Sequence, residues 1–171
     1  MKTSWSENEL DNSLFAELIS NAPSETKIRE LVLKGANINA VSVYGEDVLI
    51  HAIGCVISPD VVEYWGQGLD IHFIQLLIEL GANVNYIDDD NCNCLWSAMH
   101  VWIPELLEML LKAGANPNLI SQGENMTILD WLSADQHYEE ANMNRGGAEP
   151  LAKMVALLKQ YGAKYTSEIT Q

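Results

Sequence analysis

Leu33-Lys34-Gly35-Ala36-Asn37-Ile38-Asn39 recurs as Leu80-Gly81-Ala82-Asn83-Val84-Asn85 and as Lys112-Ala113-Gly114-Ala115-Asn116-Pro117-Asn118. A degraded fourth copy reads Gln160-Tyr161-Gly162-Ala163-Lys164. Each copy closes a run with three-and-four apolar spacing: Ile28, Leu31, Val32; Ile74, Leu77, Ile78; Leu106, Leu107, Leu110, Leu111; Leu151, Val155, Leu158. That spacing places one apolar stripe on a helix. Glycine ends such a helix because it accepts the left-handed conformation at low steric cost. The asparagines that follow tolerate turn geometry and can bond their own backbone.

A second element lies at a fixed distance downstream. Gly45-Glu46-Asp47-Val48-Leu49, Asn91-Cys92-Asn93-Cys94-Leu95 and Asn125-Met126-Thr127-Ile128-Leu129 occupy equivalent places. From the helix-ending glycine to the leucine the separations are 14, 14 and 15 residues, and from Gly81 to Gly114 the period is 33. Asp47, Asn93 and Thr127 each carry a side-chain oxygen suited to cap the helix that follows.

A 33-residue period with these elements resembles the ankyrin repeat, over about Leu10 to Lys164. The Gly-Ala-Asn half of the motif is well kept. The Thr-Pro-Leu-His half departs from the pattern, reading Asp47-Val48-Leu49-Ile50, Asn93-Cys94-Leu95-Trp96 and Thr127-Ile128-Leu129-Asp130. The resemblance implies an all-α solenoid of about four helix-turn-helix repeats with protruding turns. Residues 8–40 form the N-terminal capping repeat, 41–86 the second with an insertion, 87–119 the third, 120–165 the fourth with an insertion, and 166–171 a frayed tail.

Taken in order, the expected helices run over 8–20, from Ser24 to Gly35, then 46–57, 70–80, 94–101, from Pro104 to the next glycine, 129–138 and 150–161. Asn21-Ala22-Pro23 breaks the first pair, Ser24 offers an N-cap, and Pro104 sits where helices start. Two segments exceed the period. Residues 58–68 hold Val61, Val62, Tyr64 and Trp65, and this apolar loop is expected to fold back or to serve as a second surface. Residues 139–149 are polar and contain Gly146-Gly147, the composition of a mobile loop.

Composition narrows the function classes. A chain of 171 residues that is 48% hydrophobic can fill the core of a single domain. Its start lacks the apolar run of a signal peptide and no window reaches the length of a membrane span, so a cytoplasmic, monomeric protein is expected. The three cysteines do not form a disulfide framework. The formal net charge of −15 repels nucleic acid and attracts a basic protein, while acidity also serves solubility.

Catalytic and metal chemistry find little footing. Cys92-Asn93-Cys94 with His100 lacks zinc spacing and a fourth ligand. His51, His72, His100 and His137 have no nucleophile in a recognisable motif, and no phosphate loop or dinucleotide fingerprint is present. No cofactor and no enzyme activity are expected. Asp88-Asp89-Asp90 lacks the spaced ligands of a calcium loop, and reads either as a solvated turn or as a recognition tip.

The resemblance implies that partners lie along turn tips and first helices. By position this selects Val43, Tyr44, Glu46 and Cys55 in the second repeat. It selects Asp89, Asp90, Cys92, His100 and Val101 in the third, and Glu124, Met126, Ala134 and Asp135 in the fourth. Trp96 and Trp131 fall on packing positions, whereas Trp102 falls near the groove. The expected function is protein binding, in particular covering a basic partner. The chain is similar in size and acidity to the ankyrin-repeat immunity proteins of bacterial toxin systems. A structural adaptor using the groove and the inserted edge, with Tyr64 and Trp65, is the alternative.

Overall fold

The computed structural model describes residues 5–20, 22–56, 69–89, 91–134 and 148–170. The apolar insertion with Tyr64 and Trp65, Asp90, Asp135, His137 and nearly all of the polar insertion lie outside the described residues. Among the described residues the chain is all-α, with nine helices and two isolated β-bridges. These are α1 (Glu9–Leu18), α2 (Glu25–Leu33), α3 (Val48–Gly54), α4 (Ile71–Glu79), α5 (Cys94–Met99), α6 (Pro104–Lys112), α7 (128–134), α8 (Ala148–Gln160) and α9 (Thr166–Ile169). None is long and apolar enough to cross a membrane. The chain forms two compact units, Met1–Tyr86 and Ile87–Gln171.

In the first unit α1 packs on α2 and α3, and α3 packs on α4. The stripes read from the sequence meet there: Leu14, Phe15, Leu18, Ile28, Leu49, Ile53, Ile74 and Leu77 are all buried. In the second unit α5 packs on α6 and α6 on α8, burying Leu95, Leu106, Leu107, Leu110, Leu151, Met154 and Leu158. Burying each such side chain contributes roughly 1.5–3 kcal/mol.

The four glycines stop their helices as the sequence requires. Gly35, Gly81, Gly114 and Gly162 all have positive φ, at 106°, 97°, 91° and 80°. Behind each one the next amide reaches back five residues: Ala36 N to Leu31 O, Ala82 N to Leu77 O, Ala115 N to Leu110 O and Ala163 N to Leu158 O. This double-bonded helix end satisfies carbonyls that would otherwise be orphaned. It also turns Ala36, Ala82 and Ala115 inward, where all three are buried.

The asparagines then tie one hairpin to the next. Asn37, Asn83 and Asn116 each accept the amide two residues on, closing a local turn. Asn39 accepts from Asn83 N at 2.7 Å and donates to Gly81 O at 3.2 Å. In the second unit Asn118 does the same with Lys164 N at 2.8 Å and Gly162 O at 3.2 Å. A carboxamide is suited to this because it offers one acceptor and one donor on the same group.

Two buried acids complete the first unit in ways the helical pattern does not announce. Asp11 accepts the Asn37 amide at 2.7 Å, giving the first loop the acceptor that Asn39 gives the second. Glu17 accepts the Ser24 amide at 2.9 Å and pairs with Lys27, fastening the end of α1 to the start of α2.

The C-terminal segment is docked rather than frayed. Asp130 Oδ2 accepts from Thr166 N at 2.7 Å and Thr166 Oγ1 at 2.5 Å, and Thr127 N donates to Thr166 Oγ1 at 2.9 Å. Glu168 accepts from Tyr165 N at 2.7 Å, and Lys159 lies over the Tyr165 ring. Burial works to raise the Asp130 carboxyl, but the hydrogen bonds from Thr166 and Thr127 outweigh it and hold it below the ordinary range. Short polar side chains that cap α9 from a distant helix leave no local signature, which is why residues 166–171 read as a tail. Trp102, in the link between α5 and α6, takes a φ of 60°, a conformation that costs a bulky side chain about 1–2 kcal/mol.

Replacing Gly81 with Val tests the helix-end argument. Nothing crowds a Cβ at this position, so the cost comes from φ alone. A loss of about 1–2 kcal/mol in urea unfolding is expected. An unchanged midpoint would show that the left-handed stop is not required.

Candidate functional site

The elements that carry the candidate residues are three short hairpins, or fingers, that precede α3, α5 and α7. In the first, Ser42 N bonds Glu46 O and Gly45 N bonds Ser42 O, with Val41 bridging Asp47. In the second, Asp88 N bonds Cys92 O and Asn91 N bonds Asp88 O. In the third, Ser121 N bonds Met126 O, and Asn125 N reaches Ser121 O, four residues back rather than three. The fifteenth residue in the Gly114–Leu129 spacing is accommodated in that wider turn.

Among the described residues each finger returns through one left-handed residue, Gly45, Asn91 or Asn125, always four positions before the buried leucine. Gly and Asn are the residues that adopt this conformation most readily. Beyond it stands a buried cap. Asp47 accepts Ile50 N at 2.8 Å and Asn93 accepts Leu95 N at 3.1 Å. Asn93 also donates to Asn116 O at 2.9 Å, and Thr127 donates to Lys164 O at 2.9 Å, the matching carbonyl of its own repeat.

Asp47 departs from that pattern chemically. It is 1% exposed, and burial pushes its carboxyl up from 3.8 to about 6, against the hydrogen bonds from the Ile50 and Leu49 amides and with help from the Glu46 charge. Once ionised, it cannot donate as Asn93 and Thr127 do.

The first finger presents Val43 and Tyr44, 65% and 66% exposed, with Glu46 at its base paired to His51 Nδ1 at 3.2 Å. Tyr86 supports the finger from below by donating to Gly45 O at 2.8 Å. Cys55 closes α3 and is half-buried; burial, then the Glu46 charge, pushes its thiol up, the reverse of what a nucleophilic thiolate needs.

In the second unit the two fingers are joined. Asn91 donates to Ile120 O, and Cys92 Sγ lies 3.5 Å from Ser121 Oγ. Asp89 and Glu124 are therefore exposed on adjoining fingers, with Cys92 and Met126 half-buried beneath. His100 is exposed at the end of α5, its ring 5.9 Å from Trp131. Ala134 is exposed on α7. Val101 is buried, which takes it out of the accessible set: its amide closes the end of α5 on Ala98 O. Trp96 is buried and Trp131 half-buried, as their packing positions imply.

His72 pairs with Asp70 and tilts against Phe73. Among the described residues no three His, Cys, Asp or Glu side chains group as a metal site would require.

Sequence reasoning missed Trp5. Its ring stacks on Phe15 at 6.0 Å and meets Tyr44 and His51 edge-on at 5.7 Å and 4.6 Å. Its carbonyl accepts Val43 N at 2.9 Å. The available signal was a lone tryptophan in a polar leader, next to Asn12 on the first turn of α1.

No family model and no curated protein matches this sequence.

The pH dependence of Asp47 can be checked directly. A folded-state pKa above the unfolded value means the native state binds the extra proton between about pH 4 and 6, so this group's contribution falls as pH rises through that window and stays low above it. Asp47→Asn keeps the cap and removes the charge. It should stabilise the protein by about 1–3 kcal/mol at pH 7, with the gain shrinking as pH falls toward 4. Urea midpoints of both forms across this range measure it; a constant difference would refute the assignment.

Proposed function

We propose that the chain is an ankyrin-repeat solenoid that binds a basic protein through its finger tips and acts as a non-enzymatic inhibitor of it in the cytoplasm. The repeat reading is supported by the recurrence of one unit: a left-handed glycine, an asparagine-closed loop, a finger with one left-handed residue, and a buried cap. The support lies in the same register recurring at three places and not in any single hydrogen bond.

The observation that carries the functional reading is the chemistry of the tips. Val43 and Tyr44 are large apolar groups left in solvent, and Asp89 and Glu124 are exposed acids on the neighbouring fingers of their unit. Within the first unit the exposed apolar tip suits an apolar part of an epitope, and within the second the exposed acids suit a basic part. The net charge of −15 would steer such a partner in. His51 pairs with Glu46, His72 with Asp70, and burial pushes the Cys55 thiol up, arrangements that suit structural roles for these three side chains.

Capture from a lysate of the source cells at low and high salt tests this. A basic protein is expected on the beads at low salt, and Asp89→Asn with Glu124→Gln should weaken it roughly three- to tenfold, as loss of rim charges does. High salt should weaken it further. Retention insensitive to both salt and the double substitution would overturn the acidic-face reading.

A further inference from the structure

We propose that the ring cradle of Phe15, Tyr44 and His51 is a binding site for an extended segment of a partner protein that carries a tryptophan, and that Trp5 occupies this site in the free chain as an exchangeable strap. The proposal rests on the protein-binding reading for the nature of the partner, and adds where and how the apolar part of the epitope is taken.

Three observations carry it. The first is how Trp5 is held. Its carbonyl accepts Val43 N at 2.9 Å, as an added strand would, while Asn12 Oδ1 takes the amides of Trp5 and Ser6. These are main-chain bonds that any extended segment can make, the mode by which a peptide adds to an exposed hairpin. The second is that the rings select an aromatic side chain. Phe15 stacks on the indole, and Tyr44 and His51 meet it edge-on, yet Trp5 is only half-buried and Tyr44 remains 66% exposed. The strap leaves much of the surface beside it uncovered.

The third observation points to a ligand. His51 is 8% exposed, its Nδ1 is 3.2 Å from Glu46 Oε2, and its buried Nε2 has no hydrogen-bond partner. In the neutral tautomer that donates Nδ1–H to the carboxylate, Nε2 is an acceptor in an apolar setting. Native interiors rarely leave such an atom unmet, because its desolvation is uncompensated. Trp5 covers the imidazole but brings it no donor. A free segment, not tethered to α1 as Trp5 is through Ser6 and Asn8, can turn its indole N–H to Nε2, which is why the site takes tryptophan in preference to phenylalanine.

The probe is the acetylated, amidated hexapeptide Thr-Ser-Trp-Ser-Glu-Asn, titrated into the full chain and its Trp5→Ala variant by NMR. Trp5→Ala should bind it at least about tenfold more tightly than the wild type does, because no internal strap competes. A peptide with Phe for Trp should bind Trp5→Ala several-fold more weakly, and adding His51→Phe should erase that preference. A folded Trp5→Ala that binds the peptide no better than wild type overturns the proposal.

Amide exchange in the wild type covers the case in which Trp5→Ala does not fold. Val43 N–H should exchange at least about 100-fold faster than core amides such as Ile53, through local opening of the strap. Exchange of Val43 only by global unfolding overturns the idea without any substitution. A concentration-dependent dimer of the wild type, lost in Trp5→Ala, would replace the partner by a second copy and overturn that assignment. Peptide binding with no basic protein captured would keep the cradle and remove the acidic-face function; the converse would do the opposite.

Discussion

The hydrogen bonds made by Asn39 and Asn118 are the constraint from which the rest of each unit follows. A helix that ends on a left-handed glycine exposes carbonyls at its last turn and frees amides just beyond it. Asn39 meets one of each in the next hairpin, Gly81 O and Asn83 N, and Asn118 meets Gly162 O and Lys164 N. Each bond is worth only about 0.5–1.5 kcal/mol net. Their effect is geometric: two bonds from one short side chain fix both the spacing and the rotation of successive hairpins. Leucine packing alone would leave more freedom, since hydrophobic contact is non-directional.

That fixed spacing places the fingers. Each begins a few residues after the asparagine pair and ends at a buried cap, so the exposed tip is held at both ends by polar contacts under the surface. The first finger has an added clamp in Tyr86 and in the Trp5 carbonyl. Asp47 stands out as a local conflict, a carboxylate buried where a neutral donor–acceptor sits in the other two repeats. Two such conflicts, the buried Asp47 carboxyl and the unmet His51 Nε2, fall beside the exposed tip of the first finger, while Ser20 Oγ and Trp96 Nε1 are unmet elsewhere.

Much of this was legible in the sequence because it is local. Glycine helix ends, Ser24, Asp47 and Asn93 as caps, Pro104 at a helix start and the leucine stripes all depend on residues within one turn of each other. What was not legible depends on long-range partners. Nothing near Asp11 or Glu17 says that a helical acid will be buried against a loop amide. Nothing near Thr166 announces Asp130, 36 residues away. The sequence expects the first helices over 46–57 and 94–101, longer than Val48–Gly54 and Cys94–Met99: apolar residues continue past the last hydrogen-bonded turn, and Asp47 caps its helix from outside. Of the candidate site, the exposed tips were placed by position alone; Trp5 was missed because its partners come from α1, the first finger and α3 together.

Hydrogen exchange of the Asn37, Asn83 and Lys164 amides tests the central constraint most directly. All three residues are exposed, and their amides are held by the side-chain acceptors Asp11, Asn39 and Asn118. The account predicts protection well above that of an unbonded surface amide, lost at Asn83 in Asn39→Ala and at Lys164 in Asn118→Ala. Exchange of these amides at the free-peptide rate in the intact chain would contradict it.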